Sequence, residues 1–131
     1  MVLQTTVVGS MPKPDYLKIP CWVDAKSNKI DDDYVKQYNE IQNTYTPQQL
    51  KSMITKATEE AIELQNEAGI SIVTDGEMRR ENYIYDFCRR LNGFDFENTV
   101  EVVCRNGAWI GHLPQIVGEV SAKEGDPHKK V

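Results

Sequence analysis

Two short polar clusters hold the residue types that could do chemistry: Gly9-Ser10, which closes the β-prone run Leu3–Val8, and Asp75-Gly76-Glu77, which closes Ile70–Val73. A glycine lets the backbone approach a ligand closely, and Ser10 can offer its N–H and hydroxyl to a carboxylate. The same pair also suits a capped turn. In the second cluster a carboxylate at a strand end can pair with a ligand ammonium, or it can complement the positive end of a following helix. Arg79 and Arg80 beside these acids either order such a site or form a solvated ion pair. The aromatics Tyr83, Tyr85, Phe87, Phe94 and Phe96 follow helix and strand spacing without a basic groove, which makes them packing residues rather than a stacking platform. Self-sufficient catalytic motifs are absent: there is no Gly-rich phosphate loop, no His-Glu-x-x-His and no Gly-x-Ser-x-Gly, and the histidines are His112 and His128.

The elements that must position these clusters follow from periodicity. Leu3–Val8, stopped by Gly9-Ser10-Met11-Pro12, reads as a buried strand delivering a loop. After the Asp31-Asp32-Asp33 run, Tyr34, Val35, Tyr38 and Ile41 predict a short amphipathic helix with acids at its positive end. Thr46-Pro47 with Gln49 predicts a capping box, and Leu50, Met53, Ile54, Ala57, Ala61 and Leu64 form an apolar stripe that Gly69 ends. Ile70, Ile72 and Val73 form a second buried strand, so strand, helix and strand make a parallel βαβ unit. Ligands in parallel α/β folds bind beyond the carboxyl ends of strands, and the two polar clusters would both emerge there, close together. A third helix carries Ile84, Phe87, Cys88 and Leu91, with Gly93 as its stop. Phe94-Asp95-Phe96, Val100–Cys104 and Gln115–Val120 then read as strands, with Asn106-Gly107 as a hairpin turn.

Composition narrows the function classes. The chain has 131 residues, 40% hydrophobic and 27% charged, which is ordinary for one globular domain. Fifteen Lys and Arg against 20 Asp and Glu give a net charge of −5 without a basic block, so nucleic acid is not the expected partner. No apolar run is long enough to cross a bilayer, and Met1–Pro14 lacks the positive cluster of a signal peptide. Cys21, Cys88 and Cys104 are widely spaced and odd in number, which argues against a disulfide framework and for a reducing, cytoplasmic setting.

Taken together, Thr5–Pro12, then Gln65 with Ala68-Gly69-Ile70, Val73–Arg80, and Asp86-Phe87 with Leu91–Phe94 resemble the C-terminal barrel of cobalamin-independent methionine synthases, in the family's order. The resemblance runs from about Thr5 to Ser121 and implies an α/β fold: the first βα units of a partial TIM (β/α)8 barrel, with an antiparallel β-hairpin excursion over residues 94–121. Residues 1–121 would form the N-terminal part of that barrel, and residues 122–131 a charged, frayed tail. A full barrel takes roughly 250 residues, so about half would be missing.

The resemblance also implies function: methyl transfer to homocysteine, whose amino-acid part is held by the Gly-Ser loop and by the Glu of the second motif. Carried over residue by residue, Val8, Gly9 and Ser10 face the carboxylate and Glu77 the ammonium of homocysteine or methionine. In the family zinc holds the sulfur as a thiolate, through a His-x-Cys pair and further Glu and Cys residues on later strands. This sequence ends before them, and Cys21, Cys88 and Cys104 do not occupy those positions, so no zinc ligand is expected on this chain. Folate-using members carry an arginine five residues before the proline that matches Pro114; Trp109 stands there, and an indole lacks the paired charged donors. The expected activity is methionine-synthase-like and incomplete on this chain. The competing expectation is a non-catalytic truncated paralogue serving as a binding or assembly module. Unpaired strand edges of a partial barrel would favour a homo-oligomer.

Overall fold

A computed structural model describes residues 3–20, 31–32, 34–104, 106 and 109–125. Cys21 and Gly107 lie outside these residues, as does the segment 126–131.

The best-specified element is α2 (Pro47–Glu67), which follows α1 (Tyr34–Thr44). At its start the Thr46 hydroxyl accepts from Gln49 N–H at 3.2 Å, and Gln49 Oε1 accepts from Thr46 N–H at 2.9 Å, the reciprocal capping box. At its end Gly69, at φ +72°, lets Ile70 N–H reach Gln65 C=O and its own N–H reach Asn66 C=O, both at 3.0 Å, a Schellman turn. The buried face is Ile54, Ala57, Ala61 and Gln65. Leu64, expected on this stripe, is instead 56% exposed, because the turn-to-turn drift of the helix brings Gln65 under Ala61. Residues 11–19 cross this face as a strap: Leu17 and Ile19 are buried with Ile54, Ala57, Ala61 and Met78, flanked by Met11, Tyr16, Leu50 and Met53. The Tyr16 hydroxyl donates to Glu60 Oε2 at 2.6 Å, which fixes the middle of the strap to the helix.

The expected parallel strand pair is reduced to one bridge, Thr6 with Ile72, before and after α2. Its side chains are not buried: Leu3 is 84%, Val8 92% and Ile72 51% exposed. Among the described residues nothing fully buries these side chains, and a parallel pair without well-covered faces gains little from extending its ladder. The described residues thus build helices and a separate sheet, and no closed barrel is seen among them.

The sheet consists of β1 (Asp31–Asp32), β2 (Leu91–Cys104) and β3 (Trp109–Ala122) in the order β1-β3-β2. β2 and β3 form an antiparallel hairpin in which the separate strands expected over 94–120 merge, and β1 runs parallel to β3. Asp31 and Asp32 are therefore strand residues rather than helix-capping acids, and no acid sits in the first turn of α1. β3 extends through Ala122, and Lys123 N–H donates to Arg90 C=O at 3.0 Å, so ordered backbone passes the boundary expected at residue 121.

α3 (Tyr83–Arg89) begins on Asn82, whose Oδ1 accepts from Ile84 N–H at 2.7 Å and from Tyr85 N–H at 3.4 Å. Its buried side chains are Tyr85 and Cys88; Ile84 and Phe87, expected inside, are 43% and 62% exposed. Tyr83 is 65% exposed as well, so the aromatics are not uniformly core. Tyr85 packs with Val35, Phe96 and Leu113, and its hydroxyl donates to His112 C=O at 3.1 Å, docking α3 on the hairpin. Arg89 lies between the rings of Tyr38 and Phe96, 4.2 and 4.3 Å from their centroids, while its guanidinium pairs with the buried carboxylate of Glu81. Among the described residues, no helix is long and apolar enough to cross a membrane.

Gly93 does not stop α3, which ends at Arg89; it sits inside β2 at an irregularity of the ladder between Asn92 and Phe94. Its φ is +86°, and a Cβ there would lie 2.5 Å from Glu119 O and 2.9 Å from Gly118 O, both backbone atoms. The opposing Gly118 has only Gly93 Cα at 3.9 Å from its Cβ position. Gly93→Ala should therefore cost about 2–4 kcal/mol, from left-handed strain plus overpacking, and Gly118→Ala much less. Urea unfolding of both variants checks this, and equal midpoints would contradict the packing account.

Candidate functional site

The site forms where the two chain segments of the Thr6–Ile72 bridge end. Ile72 N–H donates to Thr5 C=O at 3.0 Å, and Thr6 Oγ1 donates to Ile72 C=O at 2.8 Å, so the segments are held side by side. Gln65 then fixes the second segment to α2. Its Oε1 accepts from Thr74 N–H at 3.0 Å, while its Nε2 donates to Thr74 C=O at 2.9 Å and to Ala61 C=O at 2.7 Å. The amide acts as a neighbouring strand would, and at 2% exposure it is deep in the core.

Beyond Thr74 the chain turns sharply. Gly76 N–H donates to Thr74 Oγ1 at 3.2 Å, Glu77 N–H to Asp75 Oδ1 at 2.9 Å, and Arg80 N–H to Glu77 C=O at 3.1 Å. Asp75 is thus spent on the turn. Gly76 and Glu77 are both left-handed, at φ +64° and +58°. For glutamate this is uncommon and carries a cost of order 1–3 kcal/mol, the kind of local strain that concentrates at functional sites.

Met11 N–H donates to Gly76 C=O at 3.0 Å, which ties the first loop to this turn. Ser10 Oγ donates to Glu77 Oε2, and the Arg80 guanidinium pairs with Glu77 Oε1. Lys13 Nζ reaches Glu77 C=O at 3.5 Å. Of the residues singled out in the sequence, Ser10 and Glu77 are therefore in contact. Gly9, at φ +85°, makes the bend just before Ser10 and has nothing within 4 Å of its Cβ position. Val8 is 92% exposed. Arg80, rather than Arg79, is the arginine of the site.

The Arg80 guanidinium holds the Glu77 carboxyl below the usual carboxylate range; partial burial opposes this, and Ser10, Arg80 and Lys13 reinforce it. Glu77 is accordingly an anion throughout the neutral range, an acceptor beside a Gly-Ser loop that offers donors. That combination suits a zwitterion with adjacent ammonium and carboxylate groups. Among the described residues, no three His, Cys, Asp or Glu side chains gather where they could hold a metal ion, so the zinc implied by the family fits no described donor set. Cys88 is buried and its thiol is pushed up by that burial, which makes it a packing residue rather than a nucleophile. A shallow depression on the outer side of α2, lined by Gln48, Lys51, Ser52, Thr55, Lys56 and Glu59, includes neither Ser10 nor Glu77. Its lining comes from the surface of one helix, whereas the strand-end cluster brings together residues from two distant segments and is the better candidate.

Comparison with known proteins gives the family. The profile described as "Cobalamin-independent synthase, Catalytic domain" matches residues 3–129. The chain belongs to the cobalamin-independent methionine synthase family. A methionine synthase of Sulfolobus acidocaldarius is 29% identical over 122 residues, covering 91% of this chain and 30% of the relative. That of Sulfurisphaera tokodaii is 33% identical over 101 residues, covering 77% and 25%. The solved B12-independent methionine synthase of a Shewanella species, in complex with selenomethionine, superposes with a TM-score of 0.67 at 27% identity, over 95% of this chain and 31% of that one. This methionine-synthase-like chain thus spans less than a third of the length of these relatives.

Within that framework Gln65 is the positioning residue that the sequence did not single out for a role; its signal was a polar residue four positions after Ala61 in an apolar stripe. Gln65→Leu should cost about 2–4 kcal/mol, because Thr74 N–H and C=O lose their partner inside the core. Gln65→Glu, which keeps the acceptor but turns a second carboxyl oxygen toward the Thr74 and Ala61 carbonyls in a buried place, should cost at least as much. Urea unfolding with amide exchange at Thr74 and Glu77 tests this; full protection in the leucine variant would contradict it.

Proposed function

We propose that this chain supplies the amino-acid-binding part of a methyl-transfer site for homocysteine or a related thiol. In this reading the Val8-Gly9-Ser10 loop takes the ligand carboxylate, and Glu77 takes its ammonium. The observation that carries it is the meeting of Ser10 and Glu77 across 67 residues of sequence, with Met11 N–H on Gly76 C=O locking the two loops together. Charge-assisted hydrogen bonds of this kind are the strong ones, and two of opposite sense orient a zwitterion uniquely. Family membership supports the reading, and so does the selenomethionine bound by the Shewanella relative, an amino acid with the same two charged groups.

The same proposal takes residues 1–121 as the first βα units of a TIM barrel, with self-association through the open edges of the Thr6–Ile72 strand pair. The role this reading gives the described residues is to bind the amino-acid end of the ligand and hold it in place. The methyl donor is left open by Trp109, which replaces the arginine of folate-using members. A second reading, a non-catalytic binding module, draws on the absence of a metal-donor cluster among the described residues and keeps the same amino-acid site.

Glu77→Gln should weaken L-methionine about 10- to 100-fold while the fold is retained, since one charge-assisted hydrogen bond contributes about 1.5–3 kcal/mol. Calorimetric titration of parent and variant measures this. Equal affinities, with binding present in the parent, would remove Glu77 from the site.

A further inference from the structure

The carboxylate assigned to a ligand ammonium already has a cation on it. Arg80 pairs with Glu77 Oε1 from three residues along the same turn, and Ser10 takes Oε2. Both side chains of the ion pair remain partly open to solvent, 34% for Arg80 and 25% for Glu77. The backbone bond from Arg80 N–H to Glu77 C=O holds the turn closed whatever the arginine side chain does. The guanidinium can therefore leave Glu77 without unfolding the loop. Arg89, by contrast, is held away from the site, between two rings and against buried Glu81.

We propose that Arg80 is a resident counter-ion that occupies the ammonium seat on Glu77 in the unliganded chain and is displaced when an amino acid binds. The inference rests on the amino-acid reading of the Ser10–Glu77 site and adds its regulation. A carboxylate oxygen can accept more than one donor, but a guanidinium and an ammonium on the same oxygen repel one another. Each binding event therefore breaks the Arg80 pair, and the observed affinity is the intrinsic one reduced by that cost. The device also selects: a weakly basic or neutral group cannot compete with a guanidinium for Glu77, whereas an α-ammonium placed by a bound carboxylate can. Arg80 is a positioning residue in this account, acting on the ligand through Glu77.

The test is calorimetric titration of the parent, Arg80→Gln, Arg80→Lys and Glu77→Gln with L-methionine and with N-acetyl-L-methionine, which lacks the ammonium. Circular dichroism of each variant monitors the fold. The expected result is that Arg80→Gln binds L-methionine about two- to fivefold more tightly than the parent, the range set by losing one partly exposed ion pair. Arg80→Lys should lie between, and N-acetyl-L-methionine should show no such gain. If the parent and Arg80→Gln bind L-methionine equally, or the variant binds more weakly, while Glu77→Gln weakens binding about 10- to 100-fold, the counter-ion proposal is overturned and the amino-acid site stands. Absence of L-methionine binding in both the parent and Arg80→Gln overturns the site itself, and this proposal with it.

Discussion

The buried amide of Gln65 is the interaction on which the placement of the site depends. By accepting from and donating to the backbone of Thr74, it fixes the end of the second strand segment against α2. The first loop is referenced to the same helix, because the strap that follows Met11 lies on Ile54, Ala57 and Ala61. Two loops distant in sequence thus share one rigid frame, and the Met11–Gly76 bond closes the small gap that remains. Glycine suits position 76 because side-chain atoms of Met78, Ala61 and Met11 lie 3.1–3.3 Å from where a Cβ would stand, at a φ of +64°. The packing of α2 and the geometry of the Ser10–Glu77 contact are one construction.

Environment assigns opposite tasks to two acids of the same short polar run. The Glu81 side chain is 1% exposed, against Arg89, and burial pushes its carboxyl up while the guanidinium pulls it down. A buried pair of this sort contributes little net stability, but removing one partner leaves an uncompensated charge, so it locks α3, Tyr38 and Phe96 in one arrangement. Glu77 stands on a strained turn, partly open to solvent, with its carboxyl held low by Arg80. The hairpin side of the molecule rests on buried contacts, and the strand-end side carries the partly exposed polar cluster.

Much of this was legible in the sequence where local chemistry decides. Thr46-Pro47 with Gln49 and Gly69 gave both ends of α2, and the Gly-Ser and Asp-Gly-Glu clusters were recognisable as loops that meet. What periodicity could not supply was the identity of the covering layers. Leu3, Val8 and Ile72 carry the composition of buried strand residues but lie exposed, because nothing among the described residues packs on them. Gly93 has the composition of a helix stop, yet its small size is used against the backbone of Glu119 in the hairpin. Asp31 and Asp32 look like helix-start acids, but pairing with Ile110 and Gly111 draws them into the sheet. Gln65 was the reverse case: as a polar residue it fell outside the apolar stripe by type, and only the position of Thr74 shows why it is inside.

The central claim is that the Ser10 loop and the Glu77 turn form one amino-acid site. Backbone amide chemical-shift mapping of the chain during titration with L-methionine tests it most directly. The account predicts saturable shifts concentrated at Gly9, Ser10, Met11, Gly76 and Glu77, with the hairpin strands and the outer face of α2 unchanged. Saturable shifts confined to the hairpin or to the Lys51–Glu59 face, with those five amides unmoved, would contradict it.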